Sequence, residues 1–245
     1  MKCSTKTGMA AGGASLEVHM LGLVDFESSL VLQERLVYEI SGRDDCQGAL
    51  LLCEHPPVLT IGREGSRAQV RCDSSELLAR QLDVRWLNRG GGSVVHAPGQ
   101  LAVYPILPLQ RLGFGLADFR HALEAAVLDL CREMKIPADR DAVEPGVWCR
   151  GGKLAHVGVA VKSWVSYHGL FLNVAPAMDW IRLAEPRGED PRQTCLAAER
   201  LRPVGMASVR ESLVRNLARH CGYDRFHLYT GHPLLRRTRK VIVYA

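Results

Sequence analysis

Strand-like stretches crowd the middle of this chain, and they do not alternate regularly with helices. Val84–Leu87, Leu101–Leu107, Val147–Cys149, Leu154–Val161 and Val165–Val174 are rich in apolar and β-branched residues. Helical spacing is clearest from about Asp118 to Met134, where Phe119, Leu123, Ala126, Val127, Leu130 and Met134 form one stripe. Asp118 stands where an N-cap would. Earlier, GALLLCE at 48–54 and Val58–Ile61 read as buried strands around the His55-Pro56-Pro57 break, after a helix at Phe26–Ile40. A further helix begins at Ser208, with Glu211 at capping-box spacing. This pattern predicts a mixed α+β domain, with helices packed on one mainly antiparallel sheet.

No repeat or low-complexity linker divides the chain. The expected organisation is a flexible leader at 1–15, a single domain at 16–230 and a basic extension at 231–245 containing Arg236-Arg237-Thr238-Arg239-Lys240. The formal charge is +5, from 31 Lys+Arg against 26 Asp+Glu, and it is scattered. That argues against a nucleic-acid binder, whose basic residues form a stripe, and leaves room for an acidic partner. The eight cysteines include no C-x-x-C pair, so neither a metal knuckle nor a redox motif is expected. With no secretory leader and no apolar run near membrane-spanning length, the expected location is the cytoplasm.

Two segments carry candidate chemistry. In Asn88-Arg89-Gly90-Gly91-Gly92-Ser93-Val94-Val95-His96-Ala97-Pro98-Gly99-Gln100, three glycines between strands let backbone approach a ligand. They also leave N–H groups free for an anion or a carbonyl. The second segment runs from Pro145 to Val159, where Arg150-Gly151-Gly152 turns the chain and delivers Lys153 to a strand. Lys153 has the same parity there as the apolar Ala155, Val157, Val159 and Val161, so it needs a partner or a place at the rim. His168-Gly169 is a third conspicuous pair.

Together these residues resemble the lipoyl(octanoyl) transferases, within the biotin and lipoate protein ligase superfamily. The resemblance covers about Leu21 to Leu196. It rests on Leu21-Gly22-Leu23-Val24-Asp25-Phe26 with Leu32-Gln33, Glu54-His55-Pro56-Pro57-Val58-Leu59-Thr60, and Arg89-Gly90-Gly91 with His96-x-Pro98-Gly99-Gln100. It continues through Pro145-Gly146-Val147-Trp148, Lys153-x-Ala155-x-x-Gly158 and His168-Gly169-x-x-Leu172-Asn173-Val174. It implies a biotin/lipoate-ligase-like fold and an octanoyl transfer through a cysteine thioester, with no cofactor or metal. The implied donor is octanoyl-acyl carrier protein. The implied acceptors are lipoyl domains of 2-oxoacid dehydrogenase subunits and the glycine cleavage H protein. By the resemblance, Lys153 helps to populate the thiolate and shuttles a proton. Arg89, Gly90, Gly91, Gly92, Ser93, Val94, Val95 and His96 would line the acyl site, with His156, Val157, Gly158, Gly169, Leu170 and Phe171.

The family's nucleophile lies in a Pro-Cys-Gly tripeptide followed by a Thr-Ser-Leu-like segment. Here these stretches read Pro186-Arg187-Gly188 and Thr194-Cys195-Leu196. Arginine stays protonated and cannot be the nucleophile. Three readings follow: the nucleophile has moved to Cys195, the chain only binds an acyl group or a lipoyl domain, or it works with ATP as the lipoate ligases do. The first is preferred, because Lys153 is retained and Cys195 stands in the family's nucleophile loop. Cys149 is the next candidate, although its strand position favours core packing.

Overall fold

The computed structural model describes residues 15–141, 144–186 and 191–235. In chain order the elements are β1 (Ser15–Leu23), α1 (Phe26–Ser41), β2 (Gly48–Glu54), β3 (Val58–Ile61), α2 (Ser74–Ala79), β4 (Asp83–Trp86), β5 (Ser93–His96), β6 (Gln100–Ile106) and α3 (Leu116–Glu133). There follow β7 (Ala138–Asp139), β8 (Gly146–Cys149), β9 (Gly152–Lys162), β10 (Val165–Asn173), α4 (Met178–Ile181), α5 (Leu196–Arg200), α6 (Met206–His220) and β11 (Arg225–Thr230).

The strands form an eight-stranded sheet of order β11-β1-β2-β6-β10-β9-β8-β7 and a three-stranded sheet of order β4-β3-β5. In the large sheet β1 runs parallel to both β11 and β2, and every other pairing is antiparallel. The mixed, mainly antiparallel expectation therefore holds. The single sheet is corrected to two, because β3 pairs with β4 and β5 rather than extending β2.

Helices cover both faces of the large sheet. On one face α3 and α6 pack Phe119, Leu123, Val127, Leu213 and Leu217 onto Leu50, Leu52, Leu101, Val103, Leu170 and Leu172. On the other, α1 sets Leu32, Leu36, Val37 and Ile40 against Leu51, Cys53, Ala102 and Tyr104. Burial on both faces explains why GALLLCE is continuously apolar rather than alternating. A third cluster, including Leu59, Ile61, Val95 and Leu77, lies under the small sheet.

Two helix starts differ from expectation. α3 begins two residues before Asp118, with Gly115 as N-cap, so Asp118 sits inside the first turn, where its charge suits the helix dipole. α6 begins at Met206 with Gly205 as N-cap, and the Ser208 hydroxyl donates back to the Gly205 carbonyl at 2.9 Å instead of capping. Strands β1 and β11 were not anticipated; every residue of β11 is exposed, which leaves no alternation to read. Residues 1–14 of the expected leader and the Arg236–Lys240 run lie outside the described residues. Among the described residues no helix is long and apolar enough to cross a membrane.

The expected parity of Lys153 is also corrected. Between β8 and β9, Val147 pairs with Ala155 but Trp148 pairs with Lys153, so β9 carries one extra residue, Leu154, in a bulge. A bulge re-aims the side chains on its two sides. Leu154 and Ala155 both enter the core beneath α3, while Lys153 joins His156 and Gly158 around a recess on the opposite face.

Candidate functional site

The glycine loop between β4 and β5 is clamped between two backbones. Gly90 N–H donates to the Val159 carbonyl at 2.9 Å, and Gly62 N–H donates to the Gly92 carbonyl at 3.1 Å. A Cβ on Gly158 would stand 2.4 Å from the Gly90 carbonyl oxygen, and one on Gly62 would stand 2.4 Å from that of Gly91. Gly91 itself has φ +78°, a left-handed conformation open to glycine. The expectation of free loop amides is corrected for two positions: Gly90 N–H serves the sheet, and Gly91 N–H faces Glu64 Oε1 at 3.3 Å.

Beside this loop lies a cavity of about 450 Å³, bounded by Gly90 and Gly91, Arg63 and Glu64, the start of α3 at Leu116–Ala117 with Arg120, Pro145, and β9 from Val157 to Val161. That volume is within the range of small-molecule sites. A narrower recess of about 10 Å³ adjoins it and shares Gly91, Pro145, Val157 and Gly158. Arg89, Gly92, Val94, Glu144, Lys153, His156 and Phe171 complete the recess.

The recess holds several buried polar groups. Lys153 is 1 % exposed; its Nζ lies 2.6 Å from Glu144 Oε1 and 4.5 Å from the Trp148 ring centre. Burial pulls its pKa down to about 8, against the opposing pull of the Glu144 carboxylate. Arg89 is equally buried; it donates to the Thr60 hydroxyl at 2.7 Å and the Gly90 carbonyl at 3.0 Å, and its guanidinium lies 5.7 Å from the Phe171 ring centre. Burial lowers its pKa to about 10, so it remains charged at neutral pH. His156 pairs with Gln193 Oε1 at 2.9 Å, and its pKa is held well below the usual imidazole range by burial and then by Lys153.

A chain of buried hydrogen bonds leaves Arg89 and crosses the sheet. Thr60 Oγ1 lies 2.9 Å from His96 Nε2, and His96 Nδ1 lies 2.8 Å from Gln100 Oε1. Gln100 Nε2 donates to Asn173 Oδ1 at 2.9 Å, and Asn173 Nδ2 donates to the Thr194 carbonyl at 3.1 Å. Burial keeps His96 neutral, and these partners assign its proton to Nδ1. The chain accounts for His96-x-Pro98-Gly99-Gln100 and Leu172-Asn173 as a frame that joins the glycine loop to the segment before Cys195. Glu54 accepts from the Gly99 N–H at 2.9 Å and from Arg210 at 2.8 Å, so that motif residue is part of the same frame.

The Cys195 segment is held from several sides. Lys153 N–H donates to the Arg192 carbonyl, and Thr194 N–H donates back to the Lys153 carbonyl. Gln193 Nε2 donates to the carbonyls of Ile181 and Ala184. Cys195 is 5 % exposed, is extended (φ −139°, ψ 161°) and caps α5. Leu196, the first residue of α5, enters the core beneath α3. Cys195 lines neither cavity. Arg187 lies outside the described residues. Cys149 packs at the main core, where a hydrogen bond with Cys131 and then burial push its thiol pKa up.

The expected site residues therefore divide. Arg89, Gly90, Gly91, Gly92, Val94, Lys153, His156, Val157, Gly158 and Phe171 surround the two cavities. His96 stands behind them, 4.5 Å from the Phe171 ring centre. Ser93 turns to the Ser66 carbonyl, Val95 packs under the small sheet, and Leu170 lies in the core beneath α3. Gly169 faces β6, where a Cβ would meet the Val103 carbonyl at 2.2 Å. His168, with φ +56°, is buried, and burial pulls its pKa to about 3. Glu144, Gln193 and Thr60 were not anticipated. For Thr60 the available signals were its place at the end of the Glu54–Thr60 motif and its polarity on a strand otherwise buried and apolar.

The lipoyl protein ligase A/B catalytic domain model matches residues 25–225. The octanoyltransferase of Geobacter metallireducens is 38 % identical over 194 residues, 79 % of this chain and 87 % of that protein. That of Syntrophobacter fumaroxidans is 38 % identical over 168 residues, 69 % of this chain and 73 % of its own. Among solved structures, lipoate-protein ligase A bound with ATP superposes with a TM-score of 0.74 at 14 % identity, covering 90 % of each chain. The bipartite lipoate protein ligase of Thermoplasma acidophilum gives 0.72 at 15 % identity, over 90 % of this chain and 89 % of that one. At such identities the structural likeness concerns the fold.

Proposed function

The chain belongs to the lipoyl protein ligase A/B catalytic-domain family, and from that premise we propose that it is an octanoyltransferase of protein lipoylation. It takes an octanoyl group from acyl carrier protein and passes it to a lysine of a lipoyl domain, in 2-oxoacid dehydrogenase subunits or the glycine cleavage H protein. It works in the cytoplasm, where these partners meet. The observation that carries the reading is the buried Lys153 in the wall of a recess that adjoins a 450 Å³ cavity. It adds to curated octanoyltransferases at 38 % identity.

In the proposed chemistry the Cys195 sulfur, as a thiolate beside the Lys153 ammonium, attacks the donor thioester carbon. The bond from that carbon to the carrier sulfur breaks, and the leaving sulfur takes the proton from Lys153. The acceptor amine then attacks the Cys195 thioester, an amide forms as the bond from carbon to the Cys195 sulfur breaks, and the amine's proton passes to Lys153, which restores the thiolate–ammonium pair. One feature supports Cys195: its segment pairs with Lys153 through backbone, at Arg192, Gln193 and Thr194. The acyl chain occupies the larger cavity between the glycine loop, β9 and the start of α3. A second reading, a noncatalytic homologue that binds acyl groups or lipoyl domains, is favoured by the burial of Cys195 and by its position outside both cavity walls.

Incubation with octanoyl-acyl carrier protein, read by intact mass, separates the two. Transfer through Cys195 gives an octanoyl adduct that persists in Cys149→Ala and vanishes in Cys195→Ala. Absence of any adduct, with lipoyl-domain binding retained, refutes the enzyme reading. Octanoylation that requires ATP and free octanoate identifies a ligase instead.

A further inference from the structure

We infer that Glu144 is a positioning residue for acyl transfer: its carboxylate fixes the Lys153 side chain at the recess and keeps it protonated. This rests on the octanoyltransferase reading, and it adds a residue that the sequence motifs leave unassigned.

The geometry is that of a buried ion pair. Lys153 and Glu144 side chains are 1 % and 6 % exposed, and their charged atoms are 2.6 Å apart. Trp148 covers the ammonium from a second direction, with its ring centre 4.5 Å away. The segment carrying Glu144 is itself fixed. Glu144 N–H donates to Asp141 Oδ1 at 2.7 Å, and two residues later Gly146 N–H donates to the buried Glu124 at 3.1 Å. Both members of the pair border the recess, beside Gly91 and Gly158.

The charges around Lys153 show why the pair matters. Among the described residues, Arg89 faces it from the glycine loop and His156 from β9, while Glu144 and Asp141 face it from the segment before β8. Burial and Arg89 both favour the neutral amine; Glu144 and, more weakly, Asp141 favour the ammonium. Without Glu144 only the weaker Asp141 opposes the first two, and Lys153 loses its proton at lower pH. A buried ion pair is commonly no more stable than apolar residues of the same volume. Its position beside a substrate-sized cavity therefore points to chemistry rather than to folding.

The test compares pH–rate profiles for single-turnover octanoyl transfer from pH 6 to 9 in wild type, Glu144→Gln, Glu144→Asp, Lys153→Ala and the Glu144→Gln/Lys153→Ala double variant. In parallel, acetic anhydride labelling of Lys153 is followed by peptide mass. Wild type should show a Lys153 ionisation near pH 8 in both readouts. Glu144→Gln should move it at least one unit toward acid. At pH 8 the protonated fraction then falls from about one half to about one tenth, and the rate falls about fivefold. Glu144→Asp, whose carboxylate stands one methylene farther from Lys153, should move the ionisation toward acid by less than Glu144→Gln does, and Glu144→Gln should add nothing once Lys153 is alanine. Superimposable profiles, or an equal loss with and without Lys153, would overturn the inference. Wild type that transfers no octanoyl group at any pH refutes the octanoyltransferase reading alone, because labelling still reports how Glu144 acts on Lys153. If Glu144→Gln does not fold, Glu144→Asp decides: a labelling profile shifted toward acid supports the inference, and an unshifted one overturns it.

Discussion

Gly158→Ala tests whether the glycine loop sets the geometry of the site. The added Cβ would sit 2.4 Å from the Gly90 carbonyl oxygen and 3.3 Å from an Arg89 guanidinium nitrogen. Ordinary contact begins at 3.4 Å, so the loop must retreat by about 1 Å. The retreat strains the Gly90 N–H bond to Val159, now 2.9 Å, and pushes Arg89 against Thr60. Overpacking of this kind costs about 1–3 kcal/mol. Activity suffers more, because a displacement of about 1 Å at a reacting group can cost roughly 10²-fold in rate. Urea unfolding reads the first quantity and single-turnover octanoyl transfer the second. Gly42→Ala is the control: at that helix end the nearest atoms are 3.8 Å away and φ is −82°, so stability should stay within about 0.5 kcal/mol of wild type. If Gly158→Ala transfers octanoyl at the wild-type rate with wild-type stability, the loop does not set the site's geometry.

Gln100→Leu removes the middle of the hydrogen-bond chain and leaves His96 Nδ1 and Asn173 Oδ1 without that partner; a loss of about 1–3 kcal/mol is expected, and an unchanged urea midpoint would contradict the role of the chain. Arg89→Lys keeps the charge but cannot reproduce the fork onto Thr60 and Gly90, so about 1 kcal/mol per lost bond should disappear, measured the same way. Acid should destabilise the fold early. Burial holds His55 near 4 and His168 near 3, with His96 and His156 also far below the unfolded value of about 6.5. Groups depressed in the folded state stabilise it above pH 6.5 and lose that contribution as pH falls toward 4. Between pH 7.5 and 5.5 His55 and His168 each account for about 1.4 kcal/mol, about 3 kcal/mol together, and His96 and His156 act in the same direction. Equal stability at these two pH values, by urea titration, would show that they are not held neutral.

Much of the frame was legible because its signals are local. The periodic stripe of α3, the apolar β2 and β6, and the triple glycine each carry their meaning within a few residues, and family motifs tied them to one site. What escaped depends on pairing between distant segments. Lys153 looked core-facing until the extra residue at Leu154 reversed its direction, and a bulge leaves no mark in the alternation of a single strand. Glu144 lies nine residues before Lys153 in sequence and meets it only because the β8–β9 hairpin folds back. Thr60, Gln100 and Asn173 stand in three separate motifs, and the chain that joins them appears only when β3, β6 and β10 are brought together. Glycine's two uses were also indistinguishable in sequence: Gly158 makes room for the loop, whereas Gly169 lets β10 lie close to β6.

The pairing of β1 with β11 bears on the order in which the protein is made. Ser15 stands beside Arg225, and the His19 ring reaches the carbonyl of Gly231, 212 residues away in sequence. On the ribosome β9 and β10 can find each other within moments, as neighbours in an antiparallel hairpin. The outer edge of β1 has no partner until residues 225–230 have emerged. Contacts of such long range are slow to form, and an open strand edge invites pairing with other chains in the meantime. Yield in the cell should thus depend on how quickly synthesis is completed, with aggregation during the delay as the competing fate.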